Sequence, residues 1–84
     1  MLQIKLSNQA RKSLKKLDKN YLIKISRSID LLTTNPFLGE KMAGNFQDCY
    51  RIKIPPVRII YILDLKNKVI IIRAIGHRQG IYKE

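Results

Sequence analysis

The chain has 84 residues, with 17 Lys or Arg against 6 Asp or Glu and a formal net charge of +11 at neutral pH. That length excludes a large multi-step active site and predicts one domain over residues 1–84, and so large a positive excess points to a polyanionic partner. A single cysteine and a single histidine exclude an intramolecular disulfide and leave no ligand set for a zinc centre; without an apolar run of membrane-spanning length, neither metal, cofactor nor membrane is expected, and the expected location is a reducing cytoplasm.

The basic residues sit at both ends of the chain. Residues 1–28 carry eight basic and one acidic side chain, residues 29–49 one and three, and residues 50–84 eight and two. Leu2, Ile4 and Leu6 alternate with Gln3 and Lys5, the period-two pattern of a half-buried strand. Ser7 or Asn8 can cap the next segment, where Ala10, Leu14 and Leu17 recur at helical spacing and Arg11, Lys12, Lys15 and Lys16 fall on the opposite side. Asp18 and Asn20 interrupt this helix; Leu22, Ile25, Ile29 and Leu32 then form a second helical stripe that Asn35-Pro36 ends.

Residues 37–48 mix turn residues with no sustained period and read as a crossing loop. Three β-branched and aromatic runs follow, Cys49–Ile54, Val57–Asp64 and Lys68–Ile75, joined by Pro55-Pro56 and Lys66-Asn67. Connections that short predict an antiparallel meander. The expected fold is therefore α+β in the order β-α-α-β-β-β, a helical hairpin packed on one face of a small, mainly antiparallel sheet whose other face stays partly open.

The open face is where chemistry is expected. Side chains two apart on a strand share a face about 6.8 Å apart, which groups Arg51 with Lys53; Arg58 follows across the two-proline turn and Arg78 lies beyond the last strand. His77 is an alternative acid or base because its unperturbed pKa is closest to neutrality, although strand alternation would turn His77 and Arg78 to different sides. Cys49 reads as a buried structural thiol, and Tyr50 and Tyr61, set among β-branched residues, read as core or its rim. Arg73 either contacts a partner or covers the sheet edge.

Tyr50-Arg51-Ile52-Lys53-Ile54, then Arg58-Ile59-Ile60-Tyr61, then Ile75-Gly76-His77-Arg78 and Tyr82 together resemble the pattern of the RelE/ParE toxin superfamily of type II toxin–antitoxin systems. The resemblance spans the chain and is strongest from Ala74 to Lys83. Within that superfamily the RelE-like branch cleaves messenger RNA in the ribosomal decoding site, while the ParE-like branch poisons a type II topoisomerase and lacks the nuclease cations; the cations here favour the RelE-like branch.

The resemblance implies Lys53 as the leading candidate for the base, Arg58 as the phosphate and transition-state clamp, Arg78 as the group that protonates or stabilises the leaving oxygen, and Tyr82 as the tyrosine that orients the nucleotide or the attacking 2′-hydroxyl. Arg51 would hold substrate backbone, while His77 has no fixed family role and is expected from strand alternation to flank the pocket. Apart from the resemblance, the crowded like charges of the helix back, Lys15 and Lys16 among them, point to contact with ribosomal RNA. Pro55-Pro56 replaces the family's more usual glycine-bearing turn and bears on where Arg58 points. RNA cleavage without metal needs a proton acceptor for the 2′-OH, positive charge on the phosphorane and a donor for the 5′-oxygen, roles that a cation cluster can divide. The resemblance also implies a cognate antitoxin, whose acidic extended segment would suit the +11 charge. The alternatives are a non-nucleolytic ParE-like inhibitor of a topoisomerase or another protein, and a nucleic-acid-binding accessory protein.

Overall fold

The structure, a computed structural model, describes residues 2–44 and 48–77. The chain runs β1 (Gln3–Leu6), α1 (Asn8–Lys16), α2 (Lys19–Leu32), β2 (Glu40–Lys41), β3 (Cys49–Ile54), β4 (Val57–Asp64) and β5 (Val69–His77). The strands form one sheet in the order β1-β5-β4-β3-β2, antiparallel except for the parallel β1–β5 pair. This is the expected α+β fold with one added strand. Residues 37–48 were expected to lack regular structure, yet β2 lies within them, its Glu40 opposite Arg51 and Lys41 opposite Tyr50. Two exposed polar residues are too short a run to show a period.

Each helix begins on a side-chain cap. Ser7 Oγ accepts the Ala10 N–H at 3.0 Å and donates to the Arg73 carbonyl, so one hydroxyl both starts α1 and ties it to β5. Asp18, which breaks the first helical pattern, is the N-cap of α2: its carboxylate accepts the Lys19 N–H at 3.0 Å. Gln9 completes the edge where β1 has ended, its carboxamide accepting the Ile75 N–H at 3.0 Å and donating to the Ile75 carbonyl at 3.3 Å. A side-chain amide thus substitutes for a strand partner.

Both helices cover one face of the sheet. Ala10 of α1 and Ile25 and Leu32 of α2 are buried against Val57, Ile59 and Tyr61 of β4 and Ile70, Ile72 and Ile75 of β5. Tyr50, Ile52 and Ile54 of β3 pack against the same core. The opposite face has only a small buried cluster, Cys49, Ile60 and Ala74, flanked by Met42 and Ile62. Cys49 is a free, buried thiol as expected, and Arg73 Nη1 lies 3.5 Å from its sulfur, which places that arginine across the open face.

Simple alternation along β5 would send Ile70, Ile72 and Ala74 to the helix side. The register instead shifts between Ile60 and Tyr61, with Ile60 opposite Ala74 and Tyr61 opposite Ile72, so Arg73 is an extra residue. The bulge turns Ala74 to the open face and Ile75 inward. β5 also starts at Val69 and continues to His77, two residues past the expected end, while Lys68 occupies the preceding turn with φ 56°.

Candidate functional site

β3 and β4 form a hairpin closed by Pro55-Pro56, so Ile54 pairs with Val57, Lys53 with Arg58 and Arg51 with Ile60. Directly paired residues in an antiparallel ladder project to the same face. Since Ile60 belongs to the open-face cluster and Ile52, Val57 and Ile59 to the helix-side core, Arg51, Lys53 and Arg58 all lie on the open face. The two-proline turn therefore sets Arg58 straight across from Lys53. On the other side of Arg58 the paired residue is Gly76, which adds no side chain beside the guanidinium.

Cationic and core positions alternate residue by residue along both strands. Arg58 stands between Val57 and Ile59, both fully buried, and Lys53 stands between Ile52 and Ile54, both packed on the core. The Lys53 side chain is 42% exposed and that of Arg51 31%.

Glu40 of β2 was not among the sequence candidates, yet it meets two of them. One carboxylate oxygen lies 3.6 Å from Arg51 Nη2 and the other 3.8 Å from Lys53 Nζ. By sequence alone, only cations are expected around Lys53. No periodicity marks Glu40, and only its pairing opposite Arg51 brings the carboxylate there.

The segment leading to Glu40 is held from the helix side. Tyr61, fully buried, donates its hydroxyl to the Pro36 carbonyl and accepts the Gly39 N–H, each at 2.9 Å. Burial raises its pKa above the usual tyrosine value. Gly39 is required by close approach: a Cβ there would stand 2.7 Å from the Arg51 carbonyl oxygen and 2.9 Å from the Tyr61 ring and hydroxyl. Tyr50 stacks on Tyr61 with centroids 5.4 Å apart, and Phe37 meets Tyr50 edge-on at 6.0 Å. Both tyrosines thus serve packing, as their sequence surroundings suggested.

The other candidates are dispersed. His77 pairs with Val57, whose side chain is in the helix-side core, so the register turns His77 away from Lys53 and Arg58; it is exposed at the end of β5. Lys15 and Lys16 are exposed in the last turn of α1, across the sheet from the cation cluster, where they complement the helix dipole. Arg78 and Tyr82 lie outside the described residues. Among the described residues no group of three or more His, Cys, Asp or Glu is arranged to hold a metal ion, and no helix is long and apolar enough to cross a membrane.

A groove of about 590 Å³ lies elsewhere, lined by Phe37, Tyr50, Ile62, Leu65 and Ile71 among others, and none of Arg51, Lys53 and Arg58 lines it. Among the described residues, Arg51, Lys53 and Arg58 stand side by side on the sheet surface. Small-molecule sites are concave and enclose their ligand, whereas a row of cations on an accessible surface fits the backbone of an extended polyanion.

Comparison with known proteins gives a consistent answer. The profile of the family described as ParE toxin of type II toxin-antitoxin system, parDE, matches residues 4–82. A protein of Methanocaldococcus jannaschii that carries the toxin name RelE1 is 33% identical over 85 aligned residues, covering 95% of this chain and 93% of that protein. The archaeal RelE–RelB complex from Pyrococcus horikoshii superposes with a TM-score of 0.80 at 27% identity, over 94% of this chain and 97% of the matched one. The RelBE2 toxin–antitoxin complex from Mycobacterium tuberculosis gives 0.81 at 19% identity, over 92% and 98%, a likeness of fold. By the family match along almost its whole length and by its archaeal relative, this chain belongs to the RelE/ParE family of type II toxin–antitoxin toxins.

Proposed function

We propose that this toxin is a ribosome-dependent messenger RNA endoribonuclease that works without metal, by in-line attack of a ribose 2′-hydroxyl on the adjacent phosphate to leave a cyclic phosphate. The observation that carries this reading is the direct pairing of Lys53 with Arg58, with Arg51 on the same face. A guanidinium fork suits bidentate contact with phosphate oxygens and stays charged, so Arg58 is the clamp on the phosphorane and Arg51 a hold on the neighbouring backbone. An ammonium group can give up its proton, so Lys53 is the acceptor for the 2′-hydroxyl. Arg78 and Tyr82, by the family resemblance, supply the donor for the 5′-oxygen and the orienting ring.

Such a cationic face contacts phosphates and relies on the decoding site to splay the message into attack geometry. The working place is then the cytoplasm, with one toxin domain acting on the ribosome and its message. Solved relatives include a RelE–RelB complex, which supports a cognate antitoxin as the partner that silences this chain; an acidic extended segment would complement its +11 charge.

Induction in a bacterium, with new 5′ ends mapped across the transcriptome, tests the reading. Growth arrest with new ends confined to translated messages, lost in Arg58→Ala, is the expected result. Arrest that persists in Arg58→Ala and Lys53→Arg without new RNA ends would favour the ParE-like reading, in which a topoisomerase is the target. Purified protein should cut naked RNA poorly; efficient codon-independent cleavage of free RNA would contradict ribosome dependence.

A further inference from the structure

Glu40 is delivered to the cation cluster by a fixed backbone. Gly39 immediately before it donates its N–H to Tyr61 at 2.9 Å and has no room for a Cβ against Arg51. The chain then enters β2 with Glu40 paired opposite Arg51, which puts both side chains on the open face. Its two carboxylate oxygens divide between Arg51 at 3.6 Å and Lys53 at 3.8 Å. A carboxylate shared between a guanidinium and an ammonium group presents two anionic oxygens to them, as a phosphodiester can.

The strength of the contact favours displacement over permanent blockade. Both separations exceed the roughly 2.7–2.9 Å of a strong charge-assisted hydrogen bond. The Glu40 side chain is also 64% exposed, and exposed ion pairs are weak and screened by salt. We propose that Glu40 is an internal competitor for the substrate phosphate: it holds Arg51 and Lys53 together in the free protein and releases them when RNA arrives. The face then discriminates against isolated phosphates and favours a strand that brings contacts at several positions at once. This inference rests on reading the face as an RNA phosphate site.

The test is binding of a short, non-cleavable 2′-O-methyl oligonucleotide, followed by fluorescence anisotropy over a range of salt. Glu40→Gln should bind about threefold to tenfold more tightly than wild type at low salt, with the gain shrinking as salt rises. Asp30→Asn makes the same change in net charge from α2, across the sheet, and should gain less. In a background lacking both cations, Arg51→Ala with Lys53→Ala, the Glu40→Gln gain should vanish, which identifies the partners Glu40 competes for. Should Glu40→Gln bind like wild type while loss of the two cations weakens binding, the competitor role falls and the phosphate site stands. An equal gain from Asp30→Asn would reduce the effect to net charge and overturn the competitor role. If removing both cations leaves affinity unchanged, the phosphate reading falls and the inference falls with it.

Discussion

The two faces of the sheet use the same strands for opposite ends. On the helix side, Ile25, Leu32, Val57, Ile59, Tyr61, Ile70, Ile72 and Ile75 are buried almost completely. On the other side Cys49, Ile60 and Ala74 form the buried strip, with Arg51, Lys53 and Arg58 standing around it. One face therefore supplies most of the stability and the other presents charge, and a single strand alternates between the two jobs. The lesson is mechanical. A cation placed between two core residues inherits their rigidity, so its position is set by packing to which it contributes little.

Adjacent residues offer the sharpest way to break this comparison. Ile59→Ala should destabilise the protein by about 2–5 kcal/mol, because a fully buried side chain leaves a cavity. Against a total stability on the order of 4–12 kcal/mol for a chain this size, that change alone is severe. Its neighbour Arg58→Ala should shift stability by no more than about 1 kcal/mol while abolishing toxicity. Chemical denaturation of both variants beside a growth assay checks the pair; a large stability loss in Arg58→Ala would show that the faces are not separable in this way.

Gly39→Ala tests the link between them. The added methyl would meet the Arg51 carbonyl at 2.7 Å and Tyr61 at 2.9 Å, both parts of packed elements, so β2 must shift and carry Glu40 with it. A loss of about 1–3 kcal/mol is expected, together with disturbed backbone resonances at both Glu40 and Arg51 in NMR spectra. A spectrum changed at Gly39 alone would contradict the tie.

Tyr61→Phe is a milder break of the same anchor. It removes the hydroxyl that joins Pro36 and Gly39 and should cost about 1–2 kcal/mol. The wild-type residue also predicts an alkaline limb. Its folded pKa lies above the usual value because burial disfavours the phenolate. Stability is thus unaffected below about pH 10, where the unfolded tyrosine titrates, and falls as pH rises through the folded value. Thermal melts from neutral to alkaline pH should show that decline in wild type and less of it in Tyr61→Phe.

The smallest expected effect lies at the β4–β5 turn. Asp64 accepts hydrogen bonds from the Asn67 side chain at 2.8 Å and its backbone N–H at 3.1 Å, and these hold its pKa below the usual carboxylate value. Its contribution is present above about pH 4 and is lost as pH falls through the lower folded value. Asp64→Asn should flatten that acid limb slightly in thermal melts without altering RNA binding.

Much of this division was legible in the sequence because alternation is. The period-two pattern of Arg51 and Lys53 within Cys49–Ile54 gave their shared face, and Pro55-Pro56 gave a turn short enough to bring Arg58 across. Two features were not legible. Residues 69–75 are apolar at every position but Arg73, so alternation could not reveal the bulge that sends Ile75 inward. Glu40 sits in a stretch without periodicity, and its meeting with Arg51 and Lys53 is a long-range pairing that no local pattern encodes. His77 was drawn toward the site by its chemistry and turned away from it by its register opposite Val57.

The central claim, that the open face performs RNA cleavage with Lys53 as proton acceptor, is tested most directly by single-turnover cleavage of a message on programmed ribosomes with wild type and Lys53→Arg. The substitution keeps the positive charge but removes the group able to lose its proton. The account predicts undiminished ribosome binding and an unchanged melting temperature, with cleavage slower by about 100-fold or more. Cleavage by Lys53→Arg at near the wild-type rate would contradict it, reducing Lys53 to a phosphate contact and moving the search for the base to another residue.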